Sequence, residues 1–160
     1  MKKPVKIILI VLLVIIAIVG VIFVNLNKEK NSITASSFKN SMEQKGYVVT
    51  NANSQFSEYD YVKQVYVASS NEYNYKIEFY ELSDDSYATY FYNNNKSIFE
   101  SSKGSASAET SVALNNYSKY TLSSNGKYMV VSRIDNTVIY VDADDNYKEN
   151  VKTILDELGY

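Results

Sequence analysis

From Ile7 to Val24 the chain reads IILIVLLVIIAIVGVIFV, with no charged or strongly polar side chain. Beyond Asn25 the apolar residues return in short groups of at most a few, many of them at spacings of two or of three and four. A helix of that first length rises about 27 Å, close to the hydrocarbon thickness of a bilayer. In lipid such a helix satisfies its own backbone groups, so the run predicts a membrane-spanning helix despite its many β-branched residues. A cleaved signal peptide is the competing reading, because Lys2, Lys3 and Lys6 form a positive leading region. The apolar run is longer than such peptides use. No A-x-A-like site follows it either: Ile18 stands before Gly20, and Val24, Asn25 and Leu26 fit no better. The sequence therefore predicts an uncleaved signal-anchor. Three lysines and the amino terminus before the span outweigh Lys28 and Lys30, which Glu29 offsets, so the amino terminus is expected in the cytoplasm and the rest outside.

The pattern after the anchor divides the chain further. Residues 25–33 (NLNKEKNSI) are a polar tether with an extended reach of roughly 30 Å. Thr34 is a plausible helix N-cap, with Ile33 and Phe38 spaced as a hydrophobic staple and Gly46 as the stop, which predicts a helix over about 35–45. Tyr47–Thr50 reads as a short strand, and Tyr61–Ala68 and Tyr73–Leu82 as longer ones. In the last, Tyr73, Tyr75, Ile77 and Phe79 alternate with Asn74, Lys76 and Glu78, which assigns one face to the core and the other to solvent. Asp84 or Asp85 can cap a second helix whose core face is read from Tyr87, Phe91, Asn94 or Asn95, and Ile98. Residues 100–116 contain ESSKGSASAETS, which has no periodicity and predicts a mobile surface loop, the best protease target of the chain.

Three strands follow, Tyr117–Leu122, Lys127–Ile134 and Thr137–Asp142, joined by Asn125-Gly126 and Asp135-Asn136. Both joints are hairpin signals, so the segment reads as an antiparallel meander. Asp144 and Asp145 are placed to cap a final helix with Tyr147, Val151, Ile154, Leu155 and Leu158 on one face and Gly159 at its end. The order α-β-β-β-α-β-β-β-α lacks the strict alternation of a parallel doubly wound sheet and predicts an α+β fold. It comprises five to six mostly antiparallel strands and about three helices covering one or both faces. The expected organisation is a basic cytoplasmic segment at 1–6, the anchor at 7–24, the tether at 25–33 and one extracytoplasmic domain at 34–160.

Composition narrows the function classes. Roughly 125 residues remain for the domain, enough for one core without disulfide or metal. The 160-residue chain has no Cys, which removes disulfides, thiolate nucleophiles and a lipid-modified cysteine, and no His, which removes the commonest general base and metal ligand. A formal charge of −2 and a single Arg do not make the clustered basic face that nucleic acid requires. Tyr is abundant, at 16 residues, and Pro is confined to Pro4.

Each candidate for chemistry has a plainer explanation beside it. Asp142, Asp144 and Asn146 open like a calcium loop, yet Tyr147 replaces its Gly and Thr153 its last Glu, so helix capping explains them better. Ser36 with Lys39 and Ser124 with Lys127 match Ser-x-x-Lys, a short pattern with no K-T-G element beside it. The carboxylate pairs Glu58 with Asp60 and Glu78 with Glu81 could supply an acid and a base for glycan cleavage, or simply solvate strands and loops. Tyr59, Tyr61, Tyr73, Tyr75, Tyr87, Tyr90 and Tyr92 follow strand propensity, though an exposed subset could stack on sugars or meet a partner. Arg133 could grip an anion, and a solvent-facing place on the middle meander strand is the simpler expectation. No catalytic, cofactor-binding or metal-ligating residue is assigned.

The run NYSKYTLSSNGKYMVVSRIDNTVIYVDADDNYKENVKTILDELGY, from Asn116 to Tyr160, resembles the C-terminal half of small single-pass proteins of Gram-positive bacteria whose function is unassigned. The anchor-plus-domain layout is similar as well. The resemblance implies a place in the cell envelope and carries over no site residue. The expected function is a non-catalytic interaction or ligand-sensing module, tethered to the plasma membrane by lipid contact from Ile7 to Val24 and meeting another envelope protein or a ligand. A small hydrolase using Asp and Glu is the alternative.

Overall fold

Thr34 ends the tether by accepting a hydrogen bond from the Ser37 N–H at 3.1 Å, while Ile33 lies against the core. In the computed structural model, which describes residues 29–160, this N-cap starts helix α1 (Ala35–Gln44). The anchor of residues 7–24 and residues 25–28 of the tether lie outside the described residues. Gly46 ends α1 at φ 84°, a left-handed conformation that costs glycine nothing. That bend lets the Tyr47 N–H reach the Met42 carbonyl at 3.0 Å and the Gly46 N–H reach Glu43 at 3.0 Å, so Met42 and Tyr47 both turn inward.

Strand β1 (Val48–Asn51) leads through a 3-10 turn at Asn53–Phe56 to β2 (Val62–Ser69) and β3 (Lys76–Leu82). The Asp84 carboxylate then accepts from the Ser86 and Tyr87 N–H groups at 2.9 and 3.1 Å and starts α2 (Asp85–Ser101). The hydrogen bonds from Ser86 and from the Tyr87 backbone hold that carboxyl below the usual range. Strands β4 (Ser107–Ala113), β5 (Tyr117–Ser124), β6 (Lys127–Ile134) and β7 (Thr137–Asp144) follow, and α3 (Lys148–Glu157) closes the chain. At the β5–β6 turn Asn125 and Gly126 take φ of 52° and 76°, as their hairpin requires; at the β6–β7 turn only Asp135 does, at 48°.

The seven strands form one sheet in the order β1-β2-β3-β7-β6-β5-β4, antiparallel at every step. Among the described residues the fold is α+β, as expected, with three helices and one strand more than expected. The additional strand is β4, which lies within the segment read as a mobile loop. Its backbone pairs with β5 from Ser107–Ser124 to Ala113–Ser118, but all seven side chains are exposed. Alternation arises only when one face is buried, so a strand in water on both faces has no periodic signal.

Four antiparallel steps separate β3 from β4, so they run the same way and their connection must cross the sheet. Helix α2 makes that crossing over one face. Helices α1 and α3 cover the other, where Phe38, Met42, Val151 and Leu155 join Ile77, Phe79, Val130 and Val141. Strands β3 and β6 are therefore central, and β3 differs from the one-sided expectation: Tyr80 and Leu82 are buried as well as Ile77 and Phe79.

Two local expectations are also revised. The core face of α2 is Ala88, Tyr92 and Phe99, while Tyr87 and Ile98 are exposed. Fully buried Ala88 lets the helix approach the sheet closely, which turns the larger aromatic neighbours outward or sideways. Neither Asp144 nor Asp145 caps α3: a 3-10 turn at Asp145–Tyr147 precedes it, and the Asp145 N–H donates to the Gly126 carbonyl at 2.8 Å. Among the described residues no helix is long and apolar enough to cross a membrane.

Candidate functional site: an aromatic cleft beside helix α2

Where α2 leaves β2 uncovered, the loop after the first 3-10 turn folds over the gap. Buried Tyr80 forms the base. The Phe56 ring meets it edge-on at 5.6 Å and 88°, and the Phe91 ring of α2 lies 4.5 Å away on a 43° tilt. Tyr61 and Tyr87 stack at 4.6 Å and 5° to form one wall, and Tyr59 leans on Tyr61 at 5.7 Å. Tyr90 is 68% exposed, Tyr59 47% and Tyr87 41%. Asn94 and Asn95 complete a cleft of about 290 Å³, whose lining of Phe56, Tyr59, Tyr61, Val62, Tyr87, Tyr90, Phe91 and the two amides carries no formal charge. That volume is at the small end of ligand pockets.

A β-bulge helps to shape the cleft. Val62 pairs with Leu82 and Gln64 with Glu81, which leaves Lys63 as an extra residue. The bulge reverses the phase of β2, so Val62 joins the same face as Val65 and Val67. The Ser83 N–H donates to the Tyr61 carbonyl at 2.8 Å and ties the loop to the start of α2. Burial, and then the phenols of Tyr59, Tyr90 and Tyr87, push the Tyr61 hydroxyl above its usual pKa. It therefore remains an O–H that can both donate and accept at neutral pH.

The other candidates are not brought together. Glu78 and Glu81, three apart on β3, point to opposite faces: Glu78 accepts from the Tyr80 hydroxyl, whereas Glu81 lies near Tyr160 in the other layer. Glu58 and Asp60 are exposed loop residues. Lys39 is paired with Glu43 at 2.6 Å, and Lys127 with Asp144 at 2.8 Å. Hydrogen bonding to Asp144 raises the Lys127 pKa, the opposite of what a Lys base for Ser124 needs, and Ser124 Oγ instead accepts from the Gly104 N–H. Asp142 lies 3.9 Å from the same Lys127, and no group of three or more metal-ligating side chains is placed to hold an ion among the described residues.

Arg133 is a correction. It is 6% exposed on β6, with Nη1 donating to the Asp135 carbonyl at 3.2 Å and Nε without a partner. Its strand is central and covered on both faces, so it has no solvent-facing position. Of the singled-out tyrosines, Tyr75 and Tyr92 are buried and Tyr73 half-buried, while Tyr59, Tyr61, Tyr87 and Tyr90 line the cleft.

Sequence reasoning missed Phe56 and the bulge, for which no local signal exists. The sequence singled out Tyr59, Tyr61, Tyr87 and Tyr90 as tyrosines an exposed subset of which could meet a ligand, but it placed Tyr87, Phe91 and Asn94 or Asn95 on the core face of the helix. Comparison of the chain with protein-family models, curated proteins and solved structures returned no match.

Proposed function

We propose that the protein is a membrane-anchored extracytoplasmic module that acts by binding, with the cleft of Tyr59, Tyr61, Tyr87 and Tyr90 as its contact surface. The observation that carries this reading is a group of exposed rings whose floor, Phe56 and Phe91, is held against buried Tyr80. Large exposed aromatics on a firm base offer contact area at small entropic cost, the usual basis of recognition surfaces.

The apolar run supports the anchor, and the place where the tether meets the domain bears on the geometry. The Lys30 backbone exchanges hydrogen bonds with the Asn116 side chain, its Nζ donates to the Gly159 carbonyl at 2.8 Å, and it sits 3.9 Å from the centre of the Tyr117 ring. Val62, Leu82, Thr137, Ile134 and Tyr117 lie along one end of the sheet. Val62, which lines the cleft, thus lies at the sheet end where the tether arrives. From Val24 to Lys30 an extended chain reaches roughly 20 Å, which would keep this end near the membrane.

Photo-crosslinking in living cells tests the reading. With a photoreactive residue at position 90 of the full chain, adducts are expected that are absent with the same residue at exposed Asn40 on α1. Equal labelling at both positions would overturn it. Protease added to intact protoplasts is expected to remove the domain, and complete protection would reverse the proposed topology.

A further inference from the structure

We infer that the ligand of this cleft is an uncharged glycan chain, an inference that rests on the reading of the cleft as the contact surface. The nine lining residues include no carboxylate, ammonium or guanidinium, and the charges beside them, Asp60 and Lys63 in the pocket that shares Tyr61 and Tyr87, are one of each sign, so the cleft offers no net counter-charge to a phosphate, an acidic polymer or a basic peptide. Its polar groups are phenols and amides. Asn95 spends its N–H on the Phe91 carbonyl at 2.8 Å, which leaves its carbonyl oxygen to accept, and Asn94 is exposed one residue before it. A pyranose presents this complement: C–H faces that lie flat on a ring, and equatorial hydroxyls that donate and accept at its rim.

The ring geometry separates a glycan from a proline-rich peptide. Proline-rich helices seat their rings in slots between aromatic side chains. Here Tyr61 and Tyr87 lie in mutual contact at 4.6 Å and 5°, which closes the slot between them. Exposed Tyr90 and Tyr59 remain available as platforms. Tyr87, Tyr90 and Asn94 follow one another along α2, so a chain of linked sugars could pass over successive turns of the helix.

The test uses the full chain in lipid nanodiscs, sedimented with three insoluble uncharged probes: chitin, cellulose and a β-1,3-glucan. At least one probe is expected to retain the wild type. Tyr90→Ala and Tyr59→Ala, both at exposed positions, should weaken that retention about tenfold with an unchanged melting temperature. The glycan is overturned if no probe retains the wild type, or if both variants bind as well as it does. The adduct at position 90 distinguishes the two levels. Removal of the added mass by glycosidase supports the glycan; an added mass that glycosidase leaves in place overturns it while the contact surface stands; and no adduct at all sinks both.

Discussion

Two tyrosine groups of the same size meet opposite fates in this domain. Tyr47, Tyr73, Tyr75 and Tyr147 crowd at ring separations of 5.5 to 6.2 Å on the face covered by α1 and α3. Two of the hydroxyls are used internally: Tyr47 and Tyr75 share a hydrogen bond, and Tyr75 donates to the Asn150 side chain. Tyr59, Tyr61, Tyr87 and Tyr90 stack on the other face but keep ring surface in water. Residue type is the same, and each group holds one i, i+2 pair, Tyr73 with Tyr75 and Tyr59 with Tyr61. The difference lies in what comes down on top: α1 and α3 cover the face that holds the first, while Tyr87 and Tyr90 on the outer side of α2 and Tyr59 in the loop before β2 stay exposed.

Large truncations should break the comparison most sharply. Tyr75→Ala, which empties a 5%-exposed core position, is expected to cost about 3–5 kcal/mol in denaturant unfolding, against less than about 0.5 kcal/mol for Tyr90→Ala. Comparable losses would show that the cleft is part of the core. Tyr75→Phe keeps the ring but strands the Tyr47 hydroxyl and the Asn150 amide, so a smaller loss of about 1–3 kcal/mol is expected by the same measurement.

Alkali provides a graded version of the contrast. Burial first, then Glu149, pushes Tyr128 up to about 12, and burial first, then the hydrogen bond with Glu109, does the same for Tyr120. An unfolded phenol ionises near pH 10. Below that pH both states hold the protons and the contribution of these residues is intact. Between about 10 and 12 the unfolded chain sheds protons that the native state keeps, so stability falls as pH rises. Phenolate absorbance should therefore rise together with loss of circular dichroism; full ionisation of a folded protein would contradict the burial. The smallest effect concerns the exposed edge. Limited proteolysis is expected to cut between Lys103 and Ala106 and spare residues 107–113, whose backbone is paired with β5.

Much of the fold was legible along the chain. The caps at Thr34 and Asp84, the stop at Gly46, the Asn125-Gly126 turn and six of the seven strands each leave a mark within a few residues. The failures share one cause. The phase of β2 at Tyr61 and Val62 depends on a bulge at Lys63, and the rotation of α2 depends on how near Ala88 lets it come. β4 left no pattern because nothing covers it. Arg133 looked like a surface residue because a lone guanidinium is costly to bury, and the covered position of β6 overrode that preference.

The sequence by itself determined the starts of α1 and α2, the stop at Gly46 and the two meander turns, and it carried the expectation of an anchor and a tether. These depend on hydrogen bonds and turn conformations confined to neighbouring residues, or on one unbroken apolar run. Only the tertiary structure decided which tyrosines became core and which became surface, and that Phe56 from one loop and Phe91 from α2 share a floor on Tyr80. Burial is set by what arrives from elsewhere in the chain, and a sheet order of β1-β2-β3-β7-β6-β5-β4 joins partners that no local spacing relates.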